Sequence, residues 1–164
     1  MNNLQVKIKK LHKDAVLPQY AKDGDAGMDL TAVSKEWDSI NHVWVYDTGL
    51  SFEIPKGYVG LLFPRSSIFK LELNLTNSVG VLDSGYRGNV MFKFRDSFDF
   101  ESYGDTYEIG DRIGQIIILP YPQIEFIEVD ELSETERGTG GYGSTGQGNE
   151  IDASFRVEPI KIEE

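Results

Sequence analysis

The chain has 164 residues and no cysteine, and its 27 acidic against 16 basic residues give a net charge of −11 with histidine neutral. The absence of cysteine excludes disulfides, zinc–thiolate sites and thiol nucleophiles. So acidic a chain lacks the positive field needed to bind nucleic acid or an anionic membrane, and we expect neither partner. The length predicts one domain with a substantial core. Without a segment of signal-peptide or membrane-span length, the protein is expected to be soluble and cytoplasmic.

Apolar and polar residues alternate along most of the chain, which is the pattern of half-buried strands. The predicted strands cover residues 4–10, 28–33, 43–45, 50–54, 58–63, 73–81, 89–94, 106–109, 112–120 and 124–129, and the strand-like pattern returns at 151–162. Residues 68–71 are predicted to form one or two helical turns, and the nearly all-apolar run 58–63 should be covered on both faces. About ten short strands with almost no helical periodicity predict an all-β sandwich or barrel.

The stretch 80–94 has the most distinctive local pattern. Apolar residues lead into a turn-rich segment, 83–88, and a second apolar run leads out again, which predicts a hairpin. Gly85 and Gly88 are expected to supply positive φ angles and positions of close approach. The turn carries one carboxylate, Asp83, three residues before Tyr86. Taken alone, this pattern favours a surface hairpin with a solvated acid.

Glycine is dense between residues 137 and 149. Glycine content alone favours a flexible linker. However, successive backbone N–H groups can surround an anion, and Arg137, Ser144 and Thr145 add charge and hydroxyl donors. Tyr142 can lie flat on a base. The combination favours a lid over a phosphate-bearing nucleotide, and the absence of a Gly-Lys-Ser/Thr ending excludes a Walker A loop.

Two further segments have the chemistry of an anion site. Residues 64–67 follow a predicted buried strand, and Ser66 and Ser67 are expected to cap a short helix whose free N–H groups face an anion beside Arg65. A plain helix cap is the alternative. Gln115 is an amide within an apolar run, and its partners are either a ligand or neighbouring backbone.

Five motifs, in order, resemble those of the trimeric, all-β deoxyuridine triphosphate diphosphatases (dUTPases). They are residues 25–30, 64–67, 80–88, 110–115 and 137–146. The resemblance covers about residues 4–146, and its third and fifth motifs are specific. It implies a distorted jelly-roll with one short helix, a homotrimer, and Mg²⁺-dependent hydrolysis of dUTP to dUMP and pyrophosphate. In that family each site lies at a subunit boundary, and the glycine-rich arm comes from another chain.

The same resemblance implies roles for individual residues. Asp83 would be the general base for the water that attacks the α-phosphorus, while Asp29 would reach the Mg²⁺, held mainly by the phosphates, through water. Asn77 would recognise the pyrimidine edge, and Tyr86 would pack under deoxyribose and exclude a 2′-hydroxyl. The other implied contacts are Gly80, Val81, Leu82 and Met91 around uracil; Arg65, Ser66, Ser67 and Gln115 on the α- and β-phosphates; Arg137, Ser144 and Thr145 on the γ-phosphate; and Tyr142, with Gly143, over uracil.

The expected organisation is a barrel domain at 1–136, a lid at 137–149 and a C-terminal extension at 150–164 with a strand-like pattern. Relatives commonly stop just after the fifth motif, so the extension is a departure from the family. So is Gly85, where many relatives have an acidic residue, and Ser67, where glycine is more usual.

Two alternatives remain open from the sequence. A deoxycytidine triphosphate deaminase, or a bifunctional deaminase and dUTPase, has the same fold and also contains Arg-Ser-Ser. A jelly-roll regulatory protein that binds a nucleotide without catalysis is an alternative of another class. The presence of Asp83 together with a complete lid motif favours the hydrolase.

Overall fold

The computed structural model describes residues 4–96 and 105–141. Within them the chain forms ten strands and one short 3₁₀ helix, Ser66–Lys70, so the predicted all-β class is confirmed. The strands are β1 (Lys7–Lys10), β2 (Met28–Thr31), β3 (Ser34–Asp38), β4 (Val43–Asp47), β5 (Leu50–Glu53), β6 (Tyr58–Phe63), β7 (Leu73–Leu75), β8 (Gly80–Leu82), β9 (Met91–Asp96) and β10 (Arg112–Pro120).

The strands form one two-stranded and two four-stranded antiparallel sheets. The small sheet pairs β1 with β5; the β2 sheet has the order β2-β10-β6-β8, and the β4 sheet has the order β3-β4-β9-β7. Inward side chains of both large sheets join in one buried cluster. Its largest fully buried members are Tyr46, Phe92, Phe94, Leu30, Leu50, Ile113 and Ile116. Two sheets closed over a shared apolar layer form the predicted jelly-roll sandwich.

One face of the β2 sheet remains uncovered by the described residues. Gly60 and Leu62 of β6 lie against the core, whereas Leu61 between them is only half-buried. On the neighbouring strands Val81 is 64% exposed and Leu119 is 44% exposed. The prediction that both faces of 58–63 are covered is therefore wrong for the single chain, because its outer face has no neighbouring layer within the described structure.

Two predicted strands are absent from the structure, and one observed strand was not predicted. Residues 106–109 form no ladder, because their groups bond elsewhere: Tyr107 O accepts the Tyr46 hydroxyl, and Glu108 N donates to Asp111 Oδ2. Residues 124–129 are also not a strand, and Phe126 is 90% exposed without a sheet neighbour. In the other direction, β3 was not predicted, because its charged residues interrupt the apolar alternation. The predicted strand pattern at 151–162 lies outside the described residues.

The predicted hairpin at 80–94 is instead a connection between the two large sheets. Strand β8 pairs with β6, whereas β9 pairs with β4 and β7. Residues 83–90, named here the Asp83 loop, therefore cross from one sheet to the other. Neither Gly85 nor Gly88 has a positive φ angle. Close approach is confirmed at Gly88, where a Cβ would lie 2.6 Å from Tyr86 Cζ.

The chain divides into two compact units, Met1–Ile124 and Glu125–Glu164. All ten described strands belong to the first unit. The described part of the second unit, 125–141, contains no helix or strand, has a turn at residues 136–139, and is exposed except at Gly140. The predicted boundaries at 136 and 149 stay predictions. None of the helical structure that is described is long or apolar enough to cross a membrane.

Candidate active site

A cluster of one carboxylate and two arginines lies on the outer face of the β2 sheet. The Asp29 carboxylate accepts a hydrogen bond from Arg65 Nε at 3.0 Å and another from Arg112 Nη1 at 3.0 Å. The side chains of Asp29 and Arg65 are 25% and 27% exposed, so the pair is partly desolvated but reachable. Two guanidinium groups against one carboxylate leave a net positive charge, which suits an anionic ligand. We name this set the Asp29 cluster.

The 3₁₀ helix is separated from β6 by two residues and brings the Ser67 hydroxyl next to the Asp29 cluster. Its N-cap is Arg65, with extended backbone, and no side chain caps the helix. The prediction that Ser66 and Ser67 cap it is therefore wrong. Ser67 Oγ instead lies 3.5 Å from Arg65 Nη1. Neither serine hydroxyl caps the helix, and the Ser67 hydroxyl lies beside Arg65.

Gln115 lies in the same row of the sheet, directly opposite Asp29 on one side and Phe63 on the other. Its Nε2 donates to the Pro64 carbonyl at 3.1 Å, so neighbouring backbone supplies at least one of its partners. The absence of a side chain at Gly27 leaves room for the Gln115 amide, because a Cβ there would lie 3.2 Å from Gln115 Cδ. A groove of about 330 Å³ is lined by Gln19, Ala21, Asp25, Ala26, Gly27, Asp29, Gln115 and Ile117. The first, second and fourth sequence motifs thus meet in space.

The Asp83 loop is anchored at both ends and exposes its acid. Asp83 directly follows β8 and its side chain is exposed, while Tyr86 N donates to Asp83 O at 3.0 Å. The Tyr86 hydroxyl donates to Asn89 O at 3.0 Å, and Asn89 Nδ2 donates to Asp47 Oδ2 at 2.8 Å. Val90 bonds through its backbone to Leu50 and Thr48. These bonds fix the end of the loop while leaving Asp83 and part of the Tyr86 ring in contact with solvent.

The residues predicted to surround uracil lie just before this loop. Ser78 has a φ angle of 58°, and Val79 N donates to Asn77 O at 2.5 Å, so the chain turns sharply there. A Cβ on Gly80 would lie 3.4 Å from Asn77 Nδ2, which places the amide beside the Gly80 backbone. Leu82 is buried in the core, so it offers a ligand only its backbone. Val81 and Met91 are exposed.

Strand register separates the Asp83 loop from the Asp29 cluster within one chain. Gln115 lies opposite Phe63, at one end of β6, whereas Leu82 lies opposite Gly60, and the next residue, Asp83, continues toward the other end. Asp83 and Gln115 are four residues apart along the strand direction and two strands apart across the sheet. Their backbones are therefore separated by roughly 16 Å. The apolar residues of the outer face lie between them. One chain therefore does not bring both groups to the same phosphate.

The remaining predicted residues belong to the second unit. Arg137 Nε donates to Gly140 O at 2.9 Å, and Gly138 N donates to Thr135 O at 3.0 Å, so the arginine closes a local turn. Tyr142, Gly143, Ser144 and Thr145 lie outside the described residues.

Two residues near the site were not singled out in the sequence. Arg112 joins the Asp29 cluster, and its place within the fourth motif was the available signal. Tyr107 is 6% exposed, and its hydroxyl has no hydrogen-bond partner among the described residues. Burial raises the pKa of Tyr107, an effect that the Arg65 guanidinium opposes. No sequence pattern marked Tyr107, because it lies in a segment predicted to be an ordinary strand.

The dUTPase family model matches residues 13–146. The deoxyuridine 5'-triphosphate nucleotidohydrolase of Nautilia profundicola is 39% identical over 147 residues, which cover 88% of this chain and 100% of that protein. The Escherichia phage T5 protein of the same name is 39% identical over 149 residues, covering 86% and 98%. The solved structure of the Staphylococcus bacteriophage 80alpha dUTPase with dUPNHPP has a TM-score of 0.71 and 29% identity, covering 88% of this chain and 99% of that one.

Proposed function

The chain belongs to the dUTPase family, and on that premise we propose that it hydrolyses dUTP to dUMP and pyrophosphate. The observation that carries the proposal is the pair of features on the β2 sheet: a net-positive Asp29 cluster suited to phosphates, and an exposed carboxylate on the anchored Asp83 loop. A free nucleotide as substrate agrees with the expected cytoplasmic location.

In the proposed mechanism Asp83 accepts a proton from the attacking water. The water oxygen bonds to the α-phosphorus, the bond from the α-phosphorus to the bridging oxygen breaks, and pyrophosphate leaves. An aspartate is ionised near neutral pH but is a weak base. General base catalysis contributes about 10²- to 10⁴-fold, so most of the acceleration comes from alignment of the triphosphate and neutralisation of its charge.

Arg65, Ser66, Ser67 and Gln115 are proposed to hold the α- and β-phosphates. Within the described residues no three or more His, Asp, Glu or Cys side chains lie together as a ligand set. The residues present fit a Mg²⁺ ion held mainly by the substrate's phosphates, with Asp29 contacting it through water. Both Asp29 oxygens already accept arginine donors but retain further lone pairs for such a water. When bound, Mg²⁺ would neutralise phosphate charge.

A homotrimer with shared active sites is the assembly that we propose. The separation of roughly 16 Å along and across the β2 sheet supports a site that takes Asp83 from one copy and the Asp29 cluster from its neighbour. The exposed apolar side chains Val81 and Leu119 between them supply a surface for that neighbour. The lid residues Arg137, Tyr142, Gly143, Ser144 and Thr145 are proposed to close over the γ-phosphate and uracil from another copy.

Selection of dUTP is assigned to the segment from Gly80 to Met91, to Asn77 and to Tyr86. As the family resemblance implies, the segment would leave no room for a 5-methyl group on the pyrimidine, and the Tyr86 ring would meet a 2′-hydroxyl. The test is pyrophosphate release from dUTP, dTTP, dCTP and UTP, with and without Mg²⁺, together with an ammonia assay on dCTP. We expect release from dUTP with Mg²⁺ and little from the others. Ammonia from dCTP would indicate the deaminase, and binding of dUTP without turnover would indicate the regulatory protein.

A further inference from the structure

The side chain of Arg87 folds back onto the loop that carries Asp83. Its Nη1 atom donates to Ser84 O at 2.7 Å and to Tyr86 O at 2.7 Å. The backbone of Arg87 is itself fixed, because its carbonyl accepts a hydrogen bond of 2.8 Å from the Oγ of the buried Ser51. One guanidinium group, held on a fixed backbone, thus bridges the carbonyls on both sides of Gly85.

Gly85 lies in the turn closed by the hydrogen bond from Tyr86 N to Asp83 O, and it has no side chain of its own to pack. It has no positive φ angle, and a Cβ added to it would meet no atom within 4 Å. Neither its geometry nor its packing therefore fixes the backbone, and glycine has more backbone freedom than any other residue. Hydrogen bonds from a charged donor are about twice as strong as neutral ones. The bridge from Arg87 thus adds a second restraint to the segment between Asp83 and Tyr86, beside the hydrogen bond from Tyr86 N to Asp83 O.

An ion pair with Glu53 is the competing role for Arg87. The two side chains line one groove, and the positive charge of Arg87 contributes to the lowered pKa of Glu53. The main cause of that lowered pKa is the hydrogen bond from Lys7, whose Nζ lies 2.8 Å from Glu53 Oε1. Glu53 is therefore bound to Lys7, while the described hydrogen bonds of the Arg87 guanidinium go to the loop carbonyls.

We propose that Arg87 is a positioning residue that sets the places of both Asp83 and Tyr86 by restraining Gly85. The inference rests on the proposed function, since Asp83 acts on the α-phosphorus and Tyr86 on the sugar. Loss of the bridge lets both side chains drift, and displacement by about 1 Å at a reacting group can cost about 10²-fold in rate. One substitution therefore affects turnover and sugar selection together.

The first experiment compares Arg87→Ala and Arg87→Lys with two controls, Arg95→Ala and Glu53→Gln. Arg95 is an exposed arginine on β9, so its loss matches the change in charge. We expect Arg87→Ala to lower kcat for dUTP by about 10- to 100-fold, with KM changed less than about threefold, and to lower the preference for dUTP over UTP by about tenfold. Lysine lacks the planar guanidinium group, so Arg87→Lys should retain only part of the wild-type kcat and sugar preference. If Arg87→Ala matches either control in kcat and in sugar preference, the proposal is wrong.

The second experiment adds Gly85→Ala to the Arg87→Ala variant, with Gly85→Ala alone as the baseline. An alanine fits the space and reduces backbone freedom, so the double variant should recover kcat and sugar preference by about tenfold relative to Arg87→Ala. A double variant no better than Arg87→Ala contradicts the assignment to Gly85.

Amide hydrogen exchange of the ligand-free protein tests the bridge without any turnover. Arg87→Ala should raise the exchange rate of the amides at 84–86, whereas Arg95→Ala should not. Unchanged exchange overturns the proposal even if the wild-type protein hydrolyses dUTP. An inactive wild-type protein with the expected exchange difference would instead contradict the proposed function alone.

Discussion

Asp29 and Asp83 are the same amino acid in two different surroundings. Both oxygens of Asp29 accept hydrogen bonds from arginines, whereas Asp83 is exposed on its loop. Two guanidinium groups hold the Asp29 carboxylate in a fixed orientation, whereas a water molecule can reach the Asp83 carboxylate directly. These different surroundings agree with the different roles proposed for two acids that composition alone does not distinguish.

Asp83→Asn should abolish proton acceptance while keeping the size of the side chain. We expect pyrophosphate release from dUTP to fall by about 10²- to 10⁴-fold, because that is the usual contribution of a general base. Calorimetric titration with dUTP should show little change in affinity. Asp23→Asn, in an exposed loop, is the matched control. A loss smaller than about tenfold would remove Asp83 from the role of base.

The buried hydroxyl of Tyr46 makes stability depend on pH in the alkaline range. Burial raises the pKa of Tyr46 to about 12, while its ordinary value is 10.0. Between these values the unfolded chain loses the proton and the folded chain keeps it, so stability falls as pH rises from about 10 to about 12. In urea unfolding, the decrease in the free energy of unfolding between these pH values should be about 2 to 3 kcal/mol smaller in Tyr46→Phe than in the wild type.

Two features of the Tyr46→Phe experiment separate this effect from general weakening. The variant also loses the hydrogen bond to Tyr107 O, so it starts about 1 kcal/mol less stable at pH 9. Tyr20→Phe, which changes an exposed tyrosine, should keep the wild-type dependence on pH. Equal pH dependence in the wild type and Tyr46→Phe would contradict the assignment.

Among the elements, β10 links the core to the Asp29 cluster. Its register with β2 shifts between Arg112 and Gly114, and the next residue is Gln115. A Cβ at Gly114 would press on the Phe92 ring and lie 2.9 Å from Phe63 O. The glycine thus allows β10 to lie close to the core while Gln115 faces outward.

Gly114→Ala should therefore destabilise the fold by about 1 to 3 kcal/mol, as overpacking of a core usually does. Urea unfolding measures the change, and Gly85→Ala is the control because it adds the same methyl group in open space. A Gly114→Ala variant as stable as the Gly85→Ala variant would show that β10 tolerates a wider spacing.

The strands were predictable where local pattern and final burial agree. The runs 58–63 and 112–120 match β6 and β10 residue for residue. β3 was missed because Lys35, Glu36 and Asp38 mask its alternation; it becomes a strand through pairing with β4, including the contact of Trp37 with Trp44. The supposed hairpin at 80–94 has the local pattern of paired strands, but its partners lie far away in sequence. Local pattern identifies strands and does not identify their partners.

The same limit applied to the site. Asp29, Arg65 and Gln115 belong to separate motifs, and their meeting agrees with the phosphate contacts and the neighbouring metal contact that the resemblance implied. Their distance from Asp83 was not predictable, because it depends on the register of β6 with both of its neighbours. Register is decided by packing across the whole sheet, and no single segment contains that information.

At the scale of the whole molecule, the proposed active site combines groups from two copies of the chain. Asp83→Asn keeps the Asp29 cluster intact, and Arg65→Ala keeps Asp83 intact. Suppose that trimers form at random from equal amounts of the two variants. About a quarter of the sites between neighbours then receive an intact Asp83 from one copy and an intact Arg65 from the other. A site contained in one chain would never receive both.

Mixing these two variants is therefore the most direct test. The proteins are unfolded and refolded together, mass spectrometry of the intact assemblies verifies that they mixed, and pyrophosphate release from dUTP is measured. We predict that each variant alone is nearly inactive and that the mixture regains about a quarter of the wild-type rate. Mixed assemblies no more active than either variant alone would contradict the shared site.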